Sequence, residues 1–104
     1  MVDALLAALR QRPRFAALTS DDLEPLPATG TAHGHVRLPD GLIARVAYAY
    51  EGDAGAAARL ETQAAAFRFL APSGRTPALH DVLPPREGLP GGALIVDRIV
   101  GQVP

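Results

Sequence analysis

His33-Gly34-His35-Val36-Arg37-Leu38-Pro39-Asp40-Gly41-Leu42-Ile43-Ala44-Arg45-Val46-Ala47-Tyr48-Ala49-Tyr50 carries the local signals that decide the fold. Pro39-Asp40-Gly41 is a turn with a mechanism, because proline presets one dihedral and glycine accepts positive φ. The flanking runs, 33–38 and 42–50, then read as the two strands of a β-hairpin. Alternation along the second strand places Leu42, Ala44, Val46, Tyr48 and Tyr50 on one face, with Ile43, Arg45, Ala47 and Ala49 on the other. Arg45 interrupts an apolar run, and burying a charge there is costly unless something pairs with it. Glu61, inside the alanine-rich helical pattern that follows, is the nearest suitable partner.

Upstream of the hairpin, Val2, Leu5, Leu6 and Leu9 recur at helical spacing until Pro13 ends the pattern, with Phe15 to Leu18 adding a further turn. Thr19-Ser20-Asp21-Asp22 reads as a turn or a helix cap, its aspartates capping rather than catalytic. Pro25 and Pro27 limit residues 23–28 to a prolyl edge strand. Downstream, Glu51-Gly52-Asp53-Ala54-Gly55 breaks the strand, and residues 56–71 form a helix whose stripe is Leu60, Ala64, Phe67 and Leu70 or Ala71. Pro72-Ser73-Gly74 ends it. Residues 78–83 and 93–96 read as two more strands, joined by a loop rich in Pro and Gly. This order predicts an α+β fold with a roughly five-stranded antiparallel sheet, one main covering helix and an N-terminal helix. Residues 1–18 form the N-terminal helical segment and residues 19–104 the remaining lobe.

Length and composition set the bounds. A chain of 104 residues is sized for one domain. Twenty of its apolar residues are Ala, so the larger side chains supply core for helices on one face of a sheet rather than on both. A net charge of -1 leaves no electrostatic footprint for nucleic acid or an anionic membrane. No apolar run is long enough to span a bilayer. Asp3 stands where a secretory leader would carry basic residues. With no cysteine, disulfides and zinc-thiolate sites are excluded, and a cytoplasmic protein is expected. All ten basic residues are Arg, so any phosphate clamp would use planar guanidinium contacts. His33 and His35 share a strand face, but a third metal ligand is not evident and Arg37 beside them would repel a cation; no metal site is expected.

A series then emerges: the loop Leu26 to Leu38 containing Gly30 and Gly34, the hairpin, a basic strand residue Arg45, a helix glutamate Glu61, and two further strands ending in Asp97-Arg98-Ile99-Val100-Gly101. In this order it resembles the N-terminal nucleotide-binding lobe of the kinase-like phosphotransferases, closest to the aminoglycoside phosphotransferase and choline kinase type. Gly30 departs from the strict glycine spacing of that group, and Thr29 and Thr31 occupy glycine positions. The resemblance covers about Leu23 to Gly101. It implies ATP with Mg as the cofactor. Thr31, His33 and Gly34 would lie in the loop over the phosphates, Arg45 would clamp them, and Glu61 would orient Arg45. Val36 and Ile43 would flank the adenine, and Arg98 and Val100 would meet it from the hinge.

What the resemblance implies also extends outside these residues. The family's His-x-Asp catalytic loop and metal-binding Asp belong to a C-terminal lobe; here His80-Asp81 are adjacent and lie in a strand. No catalytic residue is therefore assigned, and the chain alone is expected to be inactive. The substrate would be a small-molecule hydroxyl compound bound through that other lobe. The rival expectation is a non-catalytic interaction or dimerisation domain that keeps the lobe's shape. Each residue also has a plainer role: Gly30 and Gly34 in an ordinary hairpin loop, Arg45 and Glu61 as a structural salt bridge, Val36 and Ile43 as core.

Overall fold

The computed structural model describes residues 2–27, 33–70, 72 and 77–98. Helix α1, Val2–Arg10, ends near Pro13, which opens a short 3-10 turn, Pro13–Phe15. A second 3-10 turn, Ser20–Asp22, is capped as expected: the Thr19 amide donates to Asp22 Oδ2 at 2.9 Å. Five strands follow: β1 Glu24–Pro25, β2 His33–Arg37, β3 Leu42–Ala47, β4 Leu79–Leu83 and β5 Ala93–Asp97. Helix α2, Ala56–Leu70, lies between β3 and β4 in the chain. The strands form one antiparallel sheet in the order β1-β2-β3-β5-β4.

The β2–β3 turn forms as its sequence dictates. Asp40 and Gly41 both take positive φ, 64° and 75°, a region that Asp tolerates better than most residues and Gly enters without strain. The hydrogen bond from Leu38 N to Leu42 O, 3.0 Å, closes it. Strand β3 stops at Ala47 rather than running to Tyr50. His33 and Ala47 are the last described pair with β2, and on the other side the Ala47 amide donates to Gly92 O at 3.1 Å. Gly91 makes that seam possible, since a Cβ at this position would overlap the Ala47 carbonyl. Tyr48 and Tyr50 lie past the end of the strand and are exposed.

The sheet is covered on both sides, where the composition had predicted cover on one. On one face Leu5, Ala8 and Leu9 of α1 join Val36, Leu42, Ala44, Val46 and Ile95 in the larger apolar cluster. On the other, Leu60 and Ala64 of α2 pack with Leu94 and Val96. The second layer is affordable because α2 is seated largely through alanine and only two or three bulky side chains. Strand β5 lies between two neighbours and is buried on both faces from Ala93 to Val96, so it reads as a continuous apolar run rather than an alternating one.

Polar contacts fix the perimeter. Arg12 pairs with Asp81 at 3.2 Å and donates from Nη2 to Val82 O at 2.9 Å, tying the segment after α1 to β4. A register shift between Leu79 and Asp81 bends the same strand. No helix among the described residues is long and apolar enough to cross a membrane.

Candidate functional site

The alternation of β3 determines where chemistry can occur. Leu42, Ala44 and Val46 are buried toward α1, while Ile43, Arg45 and Ala47 are half-buried on the α2 side. Helix α2 makes most of its sheet contacts with β4 and β5 and reaches β3 through Phe67, beside Arg45, so much of the β2–β3 part of that face stays open. A groove of about 510 Å³ lies there, within the usual range for small-molecule clefts. Its floor is Ile43 and Val96; Leu26, Phe67 and Pro77 form apolar walls; His35, Arg37, Arg45 and Arg98 bring positive or protonatable groups to it.

Strand register accounts for this gathering. His35 is the cross-strand partner of Arg45, Arg37 of Ile43, and Ile43 of Val96. Arg45 is half-buried, and its guanidinium carbon stands 5.6 Å from the centroid of the Phe67 ring. The Nε atoms of Arg45 and Arg37 are buried with no hydrogen-bond partner. Such donors carry a desolvation cost until an acceptor arrives. Arg37 is held at the rim by Glu24, 3.0 Å from Nη1. Burial first, and then the charge of Arg45, pushes the His35 pKa below its ordinary value. Arg98 is anchored through its backbone, with N–H donating to Gly41 O at 2.7 Å.

Asp97 is the acid on the groove wall, and it is already committed. His80 Nε2 lies 2.6 Å from its Oδ1, and the Ala78 amide donates to Oδ2 at 3.2 Å. The His80 hydrogen bond is the main reason its carboxyl sits below the usual range, with burial opposing it. Arg14 Nη1 donates to His80 Nδ1 at 3.1 Å, which leaves Nε2–H to face Asp97.

Of the residues expected at a site, Ile43, Arg45 and Arg98 come together in the groove. Val36 does not. It pairs with Ala44, is fully buried and belongs to the α1 face, because a hairpin centred on Asp40 puts Arg37, not Val36, beside Ile43. Gly34 shares that face, where a Cβ would come within 2.8 Å of the Tyr48 hydroxyl. The expected ion pair between Arg45 and Glu61 is absent: Glu61 is exposed, and no contact within 4.0 Å links the two. The physical reason is helix phase, since seating Leu60, Ala64 and Phe67 against the sheet turns Glu61 outward. Thr31, Val100 and the His33 side chain lie outside the described residues.

Three residues that line the groove stand outside the site expected from the sequence. His35 and Arg37 read as a solvated strand face, although their parity already places them opposite Arg45 and Ile43. Phe67 reads as part of a helix stripe, and no local signal marks it as the neighbour of a cation. Among the described residues, no group of three or more His, Asp or Glu side chains is placed to hold a metal ion. Compared with protein-family models, with curated proteins and with solved structures, the chain matches none.

Proposed function

We propose that this groove binds the phosphates of a nucleotide, and that the chain is the ATP-binding N-terminal lobe of a small-molecule phosphotransferase of the aminoglycoside phosphotransferase and choline kinase type. The enzyme would transfer the γ-phosphate of ATP to a substrate hydroxyl. The observation that carries the reading is the convergence of His35, Arg37, Arg45 and Arg98 on one groove, with buried guanidinium Nε atoms that no protein acceptor satisfies. Donors of this kind match the oxygens of an oligophosphate, and guanidinium is suited to bidentate contact. Ile43 and Val96 offer the base an apolar platform beside the arginines. The strand order β1-β2-β3-β5-β4, with α2 inserted between β3 and β4, supports the same reading. Mg ligands and the catalytic base would come from a second lobe.

A titration with Mg-ATP followed by amide NMR tests this. Shifts concentrated at His35, Ile43, Arg45 and Arg98, and lost in Arg45→Met, are the expected result. A folded spectrum with no response at millimolar Mg-ATP would count against it. A second reading, a non-catalytic interaction or dimerisation domain, is favoured by Phe69, which is 84 % exposed near the end of α2. Concentration-dependent sedimentation that Phe69→Ser abolishes would support that reading.

A further inference from the structure

We infer that Phe67, rather than Glu61, is the residue that positions Arg45 for its anion. The inference rests on the proposed phosphate-binding role of the groove. Arg45 is half-buried on a strand, and a cation there needs something to offset lost hydration. The acids that could serve are engaged elsewhere: Asp97 with His80, Glu24 with Arg37, Asp81 with Arg12, and Asp53 with Arg59. Glu61 faces solvent. The contact that remains is the Phe67 ring, 5.6 Å from the guanidinium carbon and part of the same groove wall.

The difference between a ring and a carboxylate is chemical. A carboxylate would hold the guanidinium by accepting its N–H groups and cancelling its charge. An aromatic face attracts the cation through its quadrupole and accepts none of the in-plane N–H donors. Arg45 is thereby oriented while its fork and its full charge stay available to phosphate oxygens. Phe67 is itself fixed, because α2 is seated by Leu60 and Ala64 against Leu94 and Val96.

The test follows the Arg45 Nε–Hε signal by NMR in the wild-type chain and in Phe67→Leu, Phe67→Trp and Glu61→Gln, first without ligand. The ring should displace the wild-type signal, leucine should return it toward the position of a solvent-exposed arginine, and tryptophan should keep it displaced. Glu61→Gln should leave it unmoved. Titration with inorganic tripolyphosphate should then show roughly tenfold weaker binding in Phe67→Leu, the scale of a desolvated cation–π contact. Phe67→Trp should restore binding, and Glu61→Gln should change it less than about twofold. An Arg45 signal and an affinity that respond to Glu61→Gln but not to Phe67→Leu would overturn the inference. If Phe67→Leu does not fold, the Glu61→Gln arm still decides, because that position is exposed: no change supports Phe67, and loss overturns it. A wild-type chain that binds neither tripolyphosphate nor Mg-ATP refutes the phosphate-binding reading. In that case the ligand-free signal still reports what holds Arg45.

Discussion

The two faces of the sheet use the same strands to opposite ends. Toward α1, Val36, Leu42, Ala44, Val46 and Ile95 close into the main core with Leu5 and Leu9, and no polar residue is buried among them. Toward α2, the strands place His35, Arg37 and Arg45 among Ile43 and Val96, and the helix covers chiefly the β5–β4 side. A period of two is what allows both: consecutive residues of β3 serve stability and site in turn. The closed face can be read as packing alone. The open face keeps unmet hydrogen-bonding capacity, and that is why it carries the functional proposal.

Four substitutions can break or sharpen this contrast. Leu9→Ala, at a fully buried position of the closed face, should cost about 4 kcal/mol in urea denaturation. A loss under about 1 kcal/mol would mean that α1 is not seated on the sheet. Arg45→Met on the open face should do the reverse. It removes a buried, unsatisfied donor while keeping an apolar stem, so stability should rise by about 1 kcal/mol, and the proposed phosphate binding should be lost with it. A large destabilisation would show that Arg45 is a structural cation.

His35 gives the contrast a pH signature. Its folded pKa lies below the ordinary 6.5, so the unfolded chain takes up the proton first. The contribution of neutral His35 to stability is therefore complete above about pH 6.5 and declines as pH falls toward the lowered folded value. Melting curves from pH 7 to pH 5 should fall more steeply for the wild type than for His35→Gln; parallel curves would remove His35 from the buried groove. The smallest effect is expected at Glu61→Ala, below about 0.5 kcal/mol, as suits an exposed carboxylate with no ion pair to Arg45. A cost near 3 kcal/mol would reinstate the buried ion pair.

The fold was more legible in the sequence than the site. Pro39-Asp40-Gly41 located the hairpin, the Pro and Gly punctuation bounded α2, and Ala93-Leu94-Ile95-Val96 announced a buried strand. The misplacement of Val36 was avoidable, because a turn centred on Asp40 already pairs it with Ala44. The rotation of α2 was legible too, since the stripe Leu60, Ala64 and Phe67 is the face that meets the sheet, and that phase is at odds with the expected pairing of Glu61 with Arg45. Ala57, Ala58, Ala65 and Ala66 are exposed while Ala56 and Ala64 are buried, so alanine does not mark which side of that helix meets the sheet. A change of one residue in phase turns a helix by about 100°, enough to exchange Glu61 for a neighbour at the sheet. The bulky members of the stripe, Leu60 and Phe67, are what mark the sheet side.

The two ends of the sheet also bear on whether another strand can join it. Strand β1 is two residues long and ends in Pro25, which has no amide to donate. Strand β4, at the opposite end, is interrupted between Leu79 and Asp81, and Arg12 already occupies the Val82 carbonyl. An incoming extended chain would find no continuous row of amides and carbonyls at either border, an arrangement that discourages strand-to-strand aggregation. Growth of this sheet by β-addition is therefore discouraged at its described edges, and the exposed ring of Phe69 lies away from both of them, on α2.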